Sequence, residues 1–217
     1  MGDLRTQIDD AAEPTLRSKT TRHFVPAGQS TQMIIGADTA SDATILGTSA
    51  GLYSGYKMRR VYYSAFSPIP DASLALPLIR PPLQREHRLY QADWLYRFYG
   101  FDIGEITAER ADGMLDLDVD PKLAWALANR ARFPVDINTA EREMLLRVPG
   151  FGLKTVDSIL SARRFRRLAL DDLGRLRVSI KKVKAFIECQ GWTPLKLLDR
   201  GDLREMFAPP PQQMVLL

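Results

Sequence analysis

Cysteine is almost missing from this chain: Cys189 is the single example among 217 residues. One thiol closes no disulfide within the chain and holds no cysteine-ligated metal cluster, so a disulfide scaffold and an intrinsic thiolate metal site are both excluded. A solitary cysteine of this kind reads as a small buried apolar residue. Long apolar runs are missing as well. The most apolar segment, Ala72 to Ile79, is short and broken by Pro77, too little to cross a bilayer. The opening MGDLRTQIDDAAEP is acidic and polar, without a signal-peptide pattern, so a cytoplasmic location is expected. What remains is a composition 45% hydrophobic, suited to a soluble globular protein with room for one large domain or two small ones.

The net charge of +4 is modest but unevenly spread. Between Lys154 and Glu188 ten basic residues (Lys154, Arg163, Arg164, Arg166, Arg167, Arg175, Arg177, Lys181, Lys182, Lys184) face only Asp157, Asp171, Asp172 and Glu188. A local excess of this sign is the footprint of a polyanion-binding face. Overlapping this region, Val135 to Arg164 shows two amphipathic helical patterns around a tight turn. Ala140, Met144, Leu145 and Val148 line one helix; Leu153, Val156, Ile159 and Leu160 line the next. Asn138 is expected to cap the first helix, with Glu141 completing a capping box, and Pro149 to stop it. Gly150 and Gly152 supply backbone freedom in the turn, and the free amides from Gly150 to Lys154 form a site for phosphate.

The run Leu146-Arg147-Val148-Pro149-Gly150-Phe151-Gly152-Leu153-Lys154 resembles the helix-hairpin-helix DNA-binding motif, which holds one strand's backbone without reading bases. That resemblance implies contacts from Val148, Pro149, Gly150, Phe151, Gly152, Lys154 and Thr155. The sequence then repeats itself imperfectly: Gly152-Leu153-Lys154-Thr155-Val156 aligns with Ser179-Ile180-Lys181-Lys182-Val183. Two hairpins related by a pseudo-twofold are expected, adding Arg177, Lys181 and Lys182 to the phosphate face. Gly150 falls on Arg177, so the second turn has lost its glycine.

Upstream the pattern changes. His23 to Pro26, Met33 to Ala37 and Arg60 to Phe66 are short apolar runs suited to buried strands, and Ser41 or Asp42 caps a helix between the last two. Strand, helix and strand make a βαβ unit with parallel pairing. A helix follows Pro81-Pro82 and ends at Gly100; residues 101 to 119 are polar and acidic and are read as a link. Asp120 caps a further helix with Pro121 at its first position.

Three segments, Phe24 to Ala37, Arg60 to Phe66 and Arg85 to Leu95, together resemble the family of radical SAM proteins assigned to DNA modification and repair. The resemblance spans roughly residues 20 to 192. It implies an α+β chain: the incomplete end of a radical SAM α/β barrel, with about two or three parallel strands, followed by an all-α helix-hairpin-helix domain. The expected divisions are an N-terminal tail (1–22), the barrel end (23–104), the DNA-binding domain (105–192) and a C-terminal tail (193–217). The full-length family implies a [4Fe-4S] cluster and S-adenosylmethionine. This chain has no Cys-x3-Cys-x2-Cys loop, so no cofactor is expected here, and a separately encoded N-terminal half is the expected partner besides DNA.

No catalytic residue is assigned. Gln29, Ser30, Thr31 and Gln32, at a strand end, and His87, on a polar helix face, are candidates to face a ligand. Two other readings stay open. One is a helix-hairpin-helix DNA glycosylase using Lys154 as nucleophile and Asp172 as its helper. The other is a protein-interaction module whose open sheet edge makes the chain associate.

Overall fold

The computed structural model describes residues 1–12, 27–69, 76–194 and 197–208. The chain is α+β, with helices around two short parallel strand pairs. Helix α1 (Gly2–Ala12) occupies the first half of the expected tail. The rest of that tail, the expected strand at His23 to Pro26 and the proline-rich C-terminus lie outside the described residues.

The βαβ unit forms as expected. Strand β1 (Ser30–Ile35) runs parallel to β2 (Arg60–Ala65), in register Ser30 with Arg60 through Ile35 with Ala65. Between them lies α2 (Asp42–Tyr56), whose Ser41 hydroxyl accepts from the Thr44 amide. Val61, Tyr63 and Ile35 are buried, whereas Ile34 and Tyr62 point to the opposite, exposed face. The pair is therefore covered on one side only, unlike a complete parallel sheet. Three amides of β2 are occupied by side chains: Tyr53 accepts from Val61, Tyr90 from Tyr63 and Glu86 from Ala65. Those groups are closed to an incoming strand, which weakens the expectation that this edge drives association.

Helix α3 (Leu83–Tyr99) ends where expected, at Gly100, whose φ of 71° is the left-handed region. The segment expected to be a link is folded instead. Asp102 caps α4 (Ile103–Thr107), and Phe101, Ile106, Leu115 and Val119 are buried. Composition suggested a linker because Asp102, Asp112, Asp116 and Asp118 are numerous, but most of these carboxylates accept backbone amides in turns. A buried ion pair fastens the segment: Arg85 Nε donates to Asp42 Oδ1 at 2.7 Å, and the Leu115 amide donates to Asp42 Oδ2 at 2.9 Å.

Asp120 caps α5 (Pro121–Ala128), with Pro121 in the first turn. An aromatic series then crosses the expected boundary, Phe101 to Trp125 to Phe133 to Phe186 to Phe207, with successive ring centroids 5.3 to 6.2 Å apart. The buried apolar residues on both sides of residue 105 form one continuous core.

Strand β3 (Val135–Asp136) pairs parallel with β4 (Ile187–Glu188), enclosing α6 (Arg142–Arg147), α7 (Leu153–Ala162), α8 (Leu170–Arg175) and α9 (Ile180–Val183). The expected Asn138 cap is not formed, because α6 begins at Arg142 with Glu141 as its N-cap. Asn138 instead receives the Leu168 amide at 2.7 Å and donates to the Leu168 carbonyl at 3.1 Å. Its side chain acts as a strand-like partner for a distant segment, which outcompetes local capping. Residues 197–208 also depart from the expected tail. Leu198 and Leu203 are buried, and Arg204 meets Asp116.

Candidate nucleic-acid interface

The first turn, Val148 to Gly152, follows from its sequence. Val148 is extended, as a residue before proline prefers, and ends α6. Gly150 takes φ 88° and is exposed, while Phe151 is buried and anchors the turn in the core. Among the described residues, the amides of Gly150, Gly152, Leu153, Lys154 and Thr155 donate to no other group. The first intrahelical donor of α7 is Val156, to the Gly152 carbonyl, and Gly152 contributes no capping side chain. Four of these amides, Gly152 to Thr155, are thus left at the positive end of a ten-residue helix, with that of Gly150 in the turn before it.

The second turn repeats the first. Arg177, 27 residues after Gly150, is also in the left-handed region, at φ 60°. At the same spacing Leu146 matches Leu173, Phe151 matches Val178, Val156 matches Val183 and Ile159 matches Phe186, all buried. The pseudo-repeat read in the sequence therefore keeps its burial pattern and one left-handed residue in each turn, but the backbones differ. Helix α7 runs ten residues and α9 four, and the Arg177 amide donates to the Gly174 carbonyl whereas the Gly150 amide donates to no group among the described residues. Where the first turn has a glycine, the second holds an arginine side chain in a strained left-handed conformation. The two hairpins touch, because a Cβ at Gly150 would lie 3.0 Å from Val183 Cγ1 and 3.3 Å from Lys182 Cβ.

The ten basic residues of this region divide into two groups. Arg163 donates to the Ile137 and Ala140 carbonyls, Arg166 and Arg175 pair with Asp172, and Arg167 pairs with Asp136. These four fasten the fold. Lys154, Arg164, Arg177, Lys181, Lys182 and Lys184 make no ion pair among the described residues. Lys154, Arg177, Lys181 and Lys182 are exposed; Lys154 lies on α7, Lys181 and Lys182 on α9, and Arg177 in the turn before α9. Thr155 is partly buried beside them.

Asp172 is committed to structure. Its carboxylate accepts from the Ala169 amide at 3.0 Å and from Arg166 and Arg175, and this backbone donor, followed by Arg166, holds its pKa below the usual carboxylate range. It serves as the cap of α8 rather than as a free partner for Lys154. The four candidates near β1 do not converge either. Ser30, Thr31 and Gln32 belong to the strand, because parallel pairing already begins at Ser30. Alternation puts Ser30 and Gln32 on the exposed face and leaves Thr31 half-buried on the other. Gln29 is buried and donates to the Tyr56 carbonyl at 3.1 Å, and Gln32 donates to Ser64 Oγ at 2.6 Å. His87 is exposed on α3, with no hydrogen-bond partner among the described residues.

Sequence reasoning missed Lys122. It sits in the first turn of α5, is 7% exposed, donates to the Phe151 carbonyl at 2.6 Å and lies 4.7 Å from the Tyr99 ring centroid. Burial pushes its ammonium down to about 7, against an upward pull from the Asp120 carboxylate. Nothing in its neighbourhood in the sequence signalled this, since a lysine after Asp-Pro at a helix start is ordinarily solvated. A cavity of about 450 Å³ opens beside it, walled by Tyr90, Trp94 and Tyr99 on one side and Gly150, Phe151 and Gly152 on the other.

Comparison with protein-family models, curated proteins and solved structures gave no match to this chain. No helix among the described residues is long and apolar enough to cross a membrane.

Proposed function

We propose that the chain grips the sugar-phosphate backbone of DNA through the two hairpin turns, without reading base sequence. The observation that carries this is the pairing of two turns with matching burial, Gly150 and Arg177 both in the left-handed region and the first turn packed against Lys182 and Val183 of α9, with unpaired cations on the helix after each. Free amides and ammonium groups together suit phosphate oxygens, and a repeated site suits two phosphates. The hairpins serve in this reading as a helix-hairpin-helix region.

We further read the chain as the C-terminal part of a radical SAM protein of DNA modification or repair. The one-sided β1–β2 pair, with Ile34 and Tyr62 exposed, is what the end of a larger sheet would leave uncovered. A separately encoded half would cover it and carry the cluster. The residues present do not fit a cluster themselves. Cys189 is buried, and burial together with Asp136, Asp172 and Glu188 raises its thiol to about 11, far from a ligating thiolate.

The test is charge reversal on exposed side chains. Lys154→Glu with Lys182→Glu should weaken binding to a labelled duplex at least tenfold while the far-ultraviolet circular dichroism stays unchanged. Undiminished binding would refute the assignment.

A further inference from the structure

We propose that the cavity between α3, the start of α5 and the first hairpin turn is a base-stacking subsite, which takes an unpaired nucleobase from the DNA strand held at that turn; this rests on the DNA reading above. The cavity and the free amides share a wall, since Gly150 and Gly152 belong to both. A nucleotide whose phosphate sits on the turn therefore has its base within reach of the cavity. The opposite wall is aromatic. Trp94 is 50% exposed, an unusual state for so large a ring, and it is held rather than free because it packs on Phe98 at 4.4 Å between centroids. An indole face of this kind stacks any base.

The polar groups of the cavity are few and suited to a base edge. Gln91 is exposed on α3, Asp120 borders the opening and Lys122 is buried in its wall. With one of its hydrogens on the Phe151 carbonyl, the Lys122 nitrogen retains further donors for a carbonyl or ring nitrogen of a base. A paired base cannot enter a depression this size with its partner attached, so the base must be unpaired or flipped out. Beyond Tyr90 and Trp94 a second depression carries Arg59, Arg60 and Arg97, with Arg60 4.9 Å from the Tyr62 ring centroid. Cations interleaved with aromatic rings continue the path for the same strand.

The experiment compares the full chain with Trp94→Ala and Trp94→Phe, binding labelled single-stranded oligothymidylate and a duplex of equal length at one salt concentration. Loss of one stacked base should weaken single-strand binding by roughly 5- to 150-fold in Trp94→Ala. Trp94→Phe should keep most of the affinity, and duplex binding should change less than about twofold in both, the turn contacts being intact. Equal losses on both ligands, or no loss on the single strand, would overturn the subsite. A wild-type chain that binds neither ligand would instead refute the DNA reading on which it rests.

Discussion

Replacing Lys122 with methionine should remove a pH dependence from the stability of this protein. In the folded chain the amine titrates near 7, against an ordinary 10.5. Below about pH 7 both folded and unfolded chains hold the proton, and burying the charge costs at most roughly 5 kcal/mol. Between about pH 7 and 10.5 the unfolded chain holds a proton that the folded one lacks, so stability rises with pH; above that range it levels off. From about pH 6 to about pH 9 this residue should add roughly 3 kcal/mol. The Lys122→Met variant also leaves the Phe151 carbonyl without its donor, a loss that does not depend on pH in this range. Urea unfolding of both proteins at the two pH values separates the effects. The wild type should gain about 3 kcal/mol relative to the variant, and parallel pH profiles would show that Lys122 keeps an ordinary pKa.

Gly150→Ala forces a side chain into φ 88° and toward Val183 Cγ1 at 3.0 Å, so a loss of about 2 to 4 kcal/mol is expected in urea unfolding. Gly47→Ala, in the interior of α2 with open space around it, should instead gain about 0.5 to 1 kcal/mol, and the same measurement on both tests whether the turn is the cause. Asp42→Ala strands the buried Arg85 guanidinium and the Leu115 amide, which should cost about 3 to 5 kcal/mol; a melting temperature within about 2 °C of wild type would show the pair to be dispensable.

The elements that announced themselves in the sequence did so through local chemistry. Ser41, Asp120 with Pro121, Gly100 and Pro149 each act within a turn of their own position, and each marks a boundary where expected. The spacing that aligned Gly150 with Arg177 survives because burial repeats with it. What the sequence concealed depends on distant partners. Asn138 has a good capping position but a better use across the chain at Leu168. Residues 101 to 119 look like solvent-facing linker until Asp42 and Arg85 supply an anchor 73 residues from Leu115. The basic run likewise gave charge but not availability, since which arginines are spent on Asp136, Asp172 and backbone carbonyls is settled only by folding. Lys122 is the extreme case, a surface-type residue made buried by the turn that packs over it.

Both turns must engage phosphate together if the hairpin pair is the functional unit. Salt dependence measures this most directly, because each phosphate neutralised releases counterions from the duplex. Engagement by Lys154, Arg177, Lys181 and Lys182 predicts a slope of about −3 to −4 in log affinity against log salt, the same for unrelated duplex sequences. Lys154→Glu with Lys182→Glu should reduce that slope by about 2. A wild-type slope near zero, or a strong preference for one sequence, would contradict the account.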